Sequence, residues 1–374
     1  MKTGIIGLPQ VGKTSLFRML TKARSERAVA GAREAHIGVA QVPDDRLDRL
    51  AALFDPKKLV HATVEYSDVA AMPLRQGKVP ATEAATEKNA GVSESLAASI
   101  RNMDSLAHVV RAFDDPAVPH VGEIDPRRDI QNVEFDLLVS DLTQVEKRLE
   151  RLEKDLKKMR SAELEKENDL LLRAHKHLET ERPLREMEMS AEDKKRVRGF
   201  MFLSEKPMLY VLNIGESSNL GAELEQAPAK FKVTQAAARP NTGAIAVCAK
   251  VEAELAEMSD EDAAEFLSSY SLGESGLVRL IRKTYELLGL ISFFTVGEDE
   301  CRAWTIERNT RAQDAAGAIH TDLQKHFIRA EVIHWDQLLD AGSEANARSR
   351  GTLRLEGKDY VVKDGDVMHI RHSA

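Results

Sequence analysis

Eight residues near the start of the chain, Gly7-Leu8-Pro9-Gln10-Val11-Gly12-Lys13-Thr14, have the types and spacing needed to hold a phosphate. Two glycines with four residues between them, followed by Lys and Thr, form the phosphate-binding loop pattern. An apolar run at 3–6 precedes the loop and a helix-like run at 14–20 follows it. That context aims backbone amides and a helix N-terminus at an anion. Gln10, Val11 and Ser15 supply further amides around the loop, and Gly7 and Gly12 allow its turns. The Lys13 ammonium would neutralise β and γ phosphates, and the Thr14 hydroxyl would bind Mg²⁺. Such a site also needs an acid at the end of a neighbouring strand to hold the metal through water, and Asp68 follows the apolar run at 62–66.

Those elements must sit on a sheet. Short apolar runs at 3–6, 62–66, 106–110 and 207–212 alternate with helix-like segments, which predicts an α/β domain with a largely parallel sheet. Between its two halves, Leu142, Val145, Leu149, Leu152, Leu156 and Met159 are spaced alternately three and four apart. Leu164, Leu171 and Leu178 continue at sevens. This is a heptad seam along two helical arms, and its simplest reading is the arms' own core rather than a partner surface. Pro183 is expected to end the second arm. From residue 291 a strand-like run at 302–306, a helix-like run at 313–327 and β-branched residues at 328–333 suggest a small β-grasp domain. A hairpin of 359–362 with 366–370 around Asp364-Gly365 is expected to close it.

The rest of the composition narrows the class. The chain has 374 residues, 43% hydrophobic and 30% charged, enough for more than one core. Its 53 Lys plus Arg stand against 61 Asp plus Glu, a formal charge of -8 that argues against bulk electrostatic binding to DNA or RNA. Cys248 and Cys301 fit neither a disulfide framework nor a zinc site, which points to a reducing cytoplasm. No run of 18 apolar residues argues for a membrane span, and the apolar N-terminal stretch is too short for a signal-peptide core.

The phosphate loop, together with 44–48 (DDRLD), 105–113 (SLAHVVRAF), Asn213-Ile214-Gly215-Glu216 and the C-terminal segments 302–306, 320–322, 327–332, 356–360 and 364–366, resembles the Obg-like ATPase (YchF) family. The likeness spans almost the whole chain and is weakest at 28–36 and 70–95. It implies a P-loop G domain at 1–133 and 199–290, an inserted α-helical hairpin at 134–198 and a C-terminal β-grasp (TGS) domain at 291–374. It also implies ATP with Mg²⁺ as ligands, GTP being bound more weakly, and the ribosome, above all its large subunit, as partner. At the base site, guanine-specific proteins carry Asn-Lys-x-Asp, whose Asp accepts from guanine N1-H and the 2-amino group. Here Asn213, Ile214 and Glu216 stand instead, with no stacking cation, as in family members that prefer ATP. The 247–250 run resembles the next base loop, where the Ala249 amide would meet the base.

Two departures bear on hydrolysis. The family's Asp-x-Ala-Gly-Leu reads Asp68-Val69-Ala70-Ala71-Met72, so a methyl sits where the γ-phosphate is approached, and the glycine-rich stretch after it is altered at 76–82. The metal-binding Thr of the first switch aligns with Ala32, which has no oxygen to give. Slow or partner-activated hydrolysis is therefore the expectation. A GTP-selective switch and a nucleotide-gated scaffold remain the alternatives. His108, where the family also has a His, is the catalytic candidate for orienting water. A packed core histidine is the competing and preferred reading. In the last domain 14 acidic residues outnumber 11 Lys plus Arg, while five of the 11 histidines gather there, so any RNA contact would be small and led by shape.

Overall fold

Strands rich in Ile, Val, Leu and Ala, with a few buried polar residues such as His108, Arg111 and Asn213, are covered by neighbours on both faces, as a parallel sheet requires. The strands in chain order are β1 (Lys2–Ile6), β2 (Ile37–Gln41), β3 (Leu59–Val60), β4 (Thr63–Asp68), β5 (Ser105–Ala112), β6 (Met208–Ile214) and β7 (Thr242–Val247). They are followed by β8 (Leu290–Thr295), β9 (Cys301–Glu307), β10 (Phe327–His334), β11 (Arg354–Glu356) and β12 (Asp366–His372). The structure is a computed structural model and describes residues 1–22, 37–72, 92–120, 122–159 and 161–373. Ala32 and the 76–82 stretch lie outside the described residues.

Two compact units result. The first contains Met1–Gly38 and Glu65–Lys283, the second Val39–Val64 and Thr284–Ala374. The first sheet has the order β2-β4-β1-β5-β6-β7. β1 pairs in parallel with β4 and β5, and β6 runs parallel to both β5 and β7. Every residue of β5 and β6 is buried. All four parallel pairs bring strand ends to one edge, the place where open α/β sheets bind ligands.

In the first unit, the helix Pro126–Lys158 is N-capped by Asp125, whose carboxylate accepts from Arg128 N, with Pro126 in the first turn. It therefore starts before the expected hairpin. Ser161 caps the second arm, Ala162–Glu179, accepting from Leu164 N. The connection is so short that the arms pack antiparallel, with Arg148 clasping Glu167 through two hydrogen bonds of 2.7 and 2.8 Å. Leu142, Val145, Leu152, Leu171 and Leu178 are fully buried between them, Leu149 and Leu164 partly, and the seam opens toward the tip, where Met159 is 67% exposed.

At the base of the arms a carboxylate is buried outright. Asp141 accepts from Leu203 N (2.9 Å), Ser204 N (2.7 Å) and Ser204 Oγ (2.6 Å), so the first arm is held to the segment that leads into β6.

The second unit carries the sheet β11-β10-β12-β8-β9-β3, with β10 antiparallel to β12 and β8 antiparallel to β9. The helix Asp45–Phe54 belongs here, although these residues were expected within the first domain. Arg46 binds Asp364 at 3.1 Å and lies over the Phe294 ring, and Arg49 lies over Trp335. The expected closing hairpin is replaced by another arrangement. Residues 359–362 form no strand; Val361 makes a single bridge to Arg311, and β12 pairs with β10 and β8. Asp364 fixes this turn by accepting from Ser292 N at 3.0 Å, while Gly365 takes the positive φ of 91° that a side chain resists. The helix expected at 313–327 divides at His320 into Ala312–Ile319 and Thr321–Lys325.

Candidate functional site

β1 delivers the chain into Gly7, whose φ of 148° and neighbours leave no room for a side chain: a Cβ would lie 2.4 Å from the Val109 carbonyl oxygen. Gln10 follows in the left-handed region with φ 60°, and Gly12 has φ 97°. The helix Lys13–Lys22 then begins, with Leu16 N donating to Gly12 O. Lys13 is 8% exposed and folds back over the loop, its ammonium donating to Gly7 O at 3.0 Å and Leu8 O at 2.8 Å. Burial pushes this ammonium down from its ordinary range, and Asp68 only partly offsets that. A phosphate arriving at the loop would replace two carbonyls with a full negative charge.

Thr14 Oγ1 donates to Asp68 Oδ2 at 3.0 Å, so the hydroxyl and carboxylate expected at the metal stand side by side. The register Ile5↔Asp68 between β1 and β4 is what brings them together. A hydroxyl with one nearby carboxylate suits Mg²⁺, a hard ion that keeps water and substrate phosphates in its shell and rarely takes an all-protein cage. Among the described residues no group of three or more His, Cys, Asp or Glu is assembled, in keeping with so sparse a donor set. The segment after Asp68 runs along the loop, with Val69 N donating to Ile5 O and Met72 N to Gly7 O. Met72 is buried and Ala71 exposed.

Asn213, at the end of β6 and 4% exposed, joins the two halves of the site. Its Nδ2 donates to Val11 O at 3.0 Å and its Oδ1 accepts from Ala249 N at 3.0 Å. Asn213 is therefore a latch between phosphate loop and base loop, and the Ala249 amide expected to meet the base is already engaged. A Cβ on Gly12 would lie 2.6 Å from Asn213 Nδ2, so the glycine also makes room for the latch. Ile214 is buried and Glu216 exposed, and both line a cleft of about 210 Å³ with Phe113, Lys230 and Phe231. Ser15 is exposed on the first turn of the helix after Lys13.

His108 has no exposed surface, and neither ring nitrogen has a hydrogen-bond partner among the described residues. It lies in β5 between Ile6 of β1 and Tyr210 of β6, with the Tyr210 ring at 6.2 Å edge to face. Burial first, and the Lys13 charge second, push its imidazole from 6.5 down to about 3. A group acting on a reacting water must come within hydrogen-bond reach of it, and this ring does not reach solvent. Its neutral state has a stability consequence. Because the folded form resists a proton that the unfolded chain accepts below about pH 6.5, stability is complete above that pH and declines as pH falls toward 3. At pH 5 this amounts to about 2 kcal/mol. His108→Leu should remove that share of the acid sensitivity, seen as a smaller shift of the denaturant midpoint between pH 7 and pH 5. An unchanged shift would contradict it.

Arg111 was not anticipated. It is 1% exposed within β5 and donates to Phe113 O (3.2 Å), Val118 O (2.9 Å) and Gln10 O (3.5 Å), tying the loop after β5 to the phosphate loop. A lone arginine inside an apolar strand was its signal. The same loop leads to His120, an exposed histidine whose Nδ1 faces Gly122 O at 2.9 Å.

This arrangement of phosphate loop, acid and latch has relatives. A family model described as YchF-GTPase_C, protein of unknown function, matches residues 290–373. The ribosome-binding ATPase YchF of Bacillus subtilis (strain 168) is 39% identical over 374 residues, covering 99% of both chains. The chain belongs to the YchF family. A second YchF, the ribosome-binding ATPase of Escherichia coli O157:H7, is 38% identical over 98% of each chain. The structure of the Schizosaccharomyces pombe YchF GTPase superposes with a TM-score of 0.83 at 30% identity, covering 99% of this chain and 97% of that one. The P-loop fold read from the phosphate loop is thus the YchF fold along its length. Among the described residues no helix is long and apolar enough to cross a membrane.

Proposed function

We propose that this YchF protein is a cytoplasmic, ribosome-associated ATPase that uses ATP with Mg²⁺ as a conformational switch, binds GTP more weakly and turns over slowly until a partner accelerates it. The observation that carries the reading is the Asn213 latch, which makes phosphate loop and base loop one site. Gly7, Gln10, Val11, Gly12, Lys13, Thr14 and Ser15 would surround the phosphates. Thr14 would hold Mg²⁺ directly and Asp68 through water, and Ile214 and Glu216 would flank the base. The ion supplies charge neutralisation at the phosphates when bound. The ribosome as partner is supported by the names of the bacterial relatives, and those names say ATPase where the yeast structure's says GTPase. We assign the contact to the large subunit, made by the helical arms at 134–198 and the TGS region at 291–374. With His108 sealed in the sheet, we propose that the exposed His120, on the loop that Arg111 ties to Gln10, is the histidine that orients water.

A second reading, a nucleotide-gated scaffold, is favoured by Ala71, whose methyl stands next to the Met72 amide that donates to Gly7 O. Phosphate release from ATP separates the two. Ribosomes, and large subunits alone, are expected to raise the rate about tenfold or more, and Ala71→Gly to raise the basal rate several-fold. No release under any condition would leave the scaffold reading standing.

A further inference from the structure

Glu216 is one of the residues lining the cleft at the ends of β5 and β6, and both its carboxylate oxygens are held by side chains that do not line that cleft. Lys250 Nζ donates to Oε2 at 2.6 Å and Tyr270 OH donates to Oε1 at 2.7 Å. Lys250 comes from the helix Ala249–Leu255, one residue past the amide that Asn213 engages. Tyr270 is the C-cap of the helix Asp260–Ser269, and its carbonyl accepts from Gly221 N at 3.2 Å. Its ring packs against Phe266 at 5.1 Å. The hydroxyl is thereby presented from a braced position. Two donors hold this acid below the usual carboxylate range, Lys250 first and Tyr270 second.

Resting on the reading of this edge as a purine site, we infer that Lys250 and Tyr270 are positioning residues for base selectivity: they fix Glu216 so that it favours a 6-aminopurine over guanine. The guanine edge offers two parallel donors, N1-H and the 2-amino group, and needs a carboxylate free to turn both oxygens toward them. A clamped carboxylate cannot turn, and the ammonium beside it offsets the charge that would reward such a pair. The 6-amino group of adenine asks for a single acceptor and loses little. The clamp therefore discriminates by withholding contacts from the competitor as well as by serving the favoured base.

The test is equilibrium binding of ATP and GTP, each with Mg²⁺, to the full chain and to Tyr270→Phe, Lys250→Met and Lys250→Arg. Tyr270→Phe and Lys250→Met should each shift the ATP-to-GTP affinity ratio toward GTP by about two- to fivefold, the range for a solvent-exposed charged contact. Lys250→Arg should keep the parental ratio. A merely structural role would weaken both nucleotides alike and leave the ratio unchanged, and that result in both removal variants overturns the clamp. The parental ratio separately reports on the purine site: failure to bind either nucleotide, or a preference for GTP, defeats that reading, whereas an ATP preference untouched by both variants defeats the clamp alone.

Discussion

Lys13→Ala is expected to abolish ATP hydrolysis and to weaken ATP binding by about a hundredfold, while leaving the thermal midpoint unchanged or raised. A charge-assisted hydrogen bond to a phosphate is worth about 1.5–3 kcal/mol, and two powers of ten correspond to about 2.7 kcal/mol. The stability half of this prediction comes from burial. The Lys13 ammonium is 8% exposed, and burial penalises its charged form relative to the unfolded chain, an effect that Asp68 only partly offsets. Its removal relieves that penalty, and of its two carbonyl partners Gly7 O keeps the bond from Met72 N while Leu8 O loses the ammonium. Isothermal titration and a thermal scan of the same preparation check both halves. A fall in stability that tracks the loss of binding would contradict the view of Lys13 as a ligand group held ready rather than a structural one.

Asn213→Ala is the second large effect. It unpairs Val11 O and Ala249 N together, at about 1–3 kcal/mol for each buried group left without a partner, and lets phosphate and base loops separate. ATP affinity should fall by about thirtyfold or more. Gly12→Ala should do comparable damage, because its Cβ would crowd Asn213 Nδ2 at 2.6 Å and its φ of 97° is unfavourable for alanine. The two changes share a cause, so the double variant should be clearly better than the sum of the singles. Strict additivity, measured in the same titrations, would show that Gly12 and Asn213 act independently.

The sequence made the phosphate half of the site legible because its chemistry is local: eight consecutive residues carry the pattern, and β1 and the following helix flank it as expected. The base half was only partly legible. Asn213 was read as standing beside the base, but its two bonds go to residues 202 and 36 positions away, a pairing that no local spacing encodes. Arg111 escaped for the same reason, since its partners lie on a loop and on the phosphate loop. The helical arms were visible as heptads and their reversal was implied by the family resemblance, while the Ser161 side chain, which accepts from Leu164 N, marks where the second arm begins. In the C-terminal unit the Asp364-Gly365 dipeptide suggested a hairpin, but a turn signal says nothing of which strand becomes the neighbour. Long-range anchoring of Asp364 to Ser292 and Arg46 set the pairing instead.

The most direct measurement is competitive binding of ATP and GTP to the purified chain in the presence of Mg²⁺. Tighter binding of ATP, lost in Lys13→Ala, is the result predicted for an adenine-reading P-loop switch built on the Asn213 latch. Tighter binding of GTP, or binding indifferent to Lys13, would contradict it.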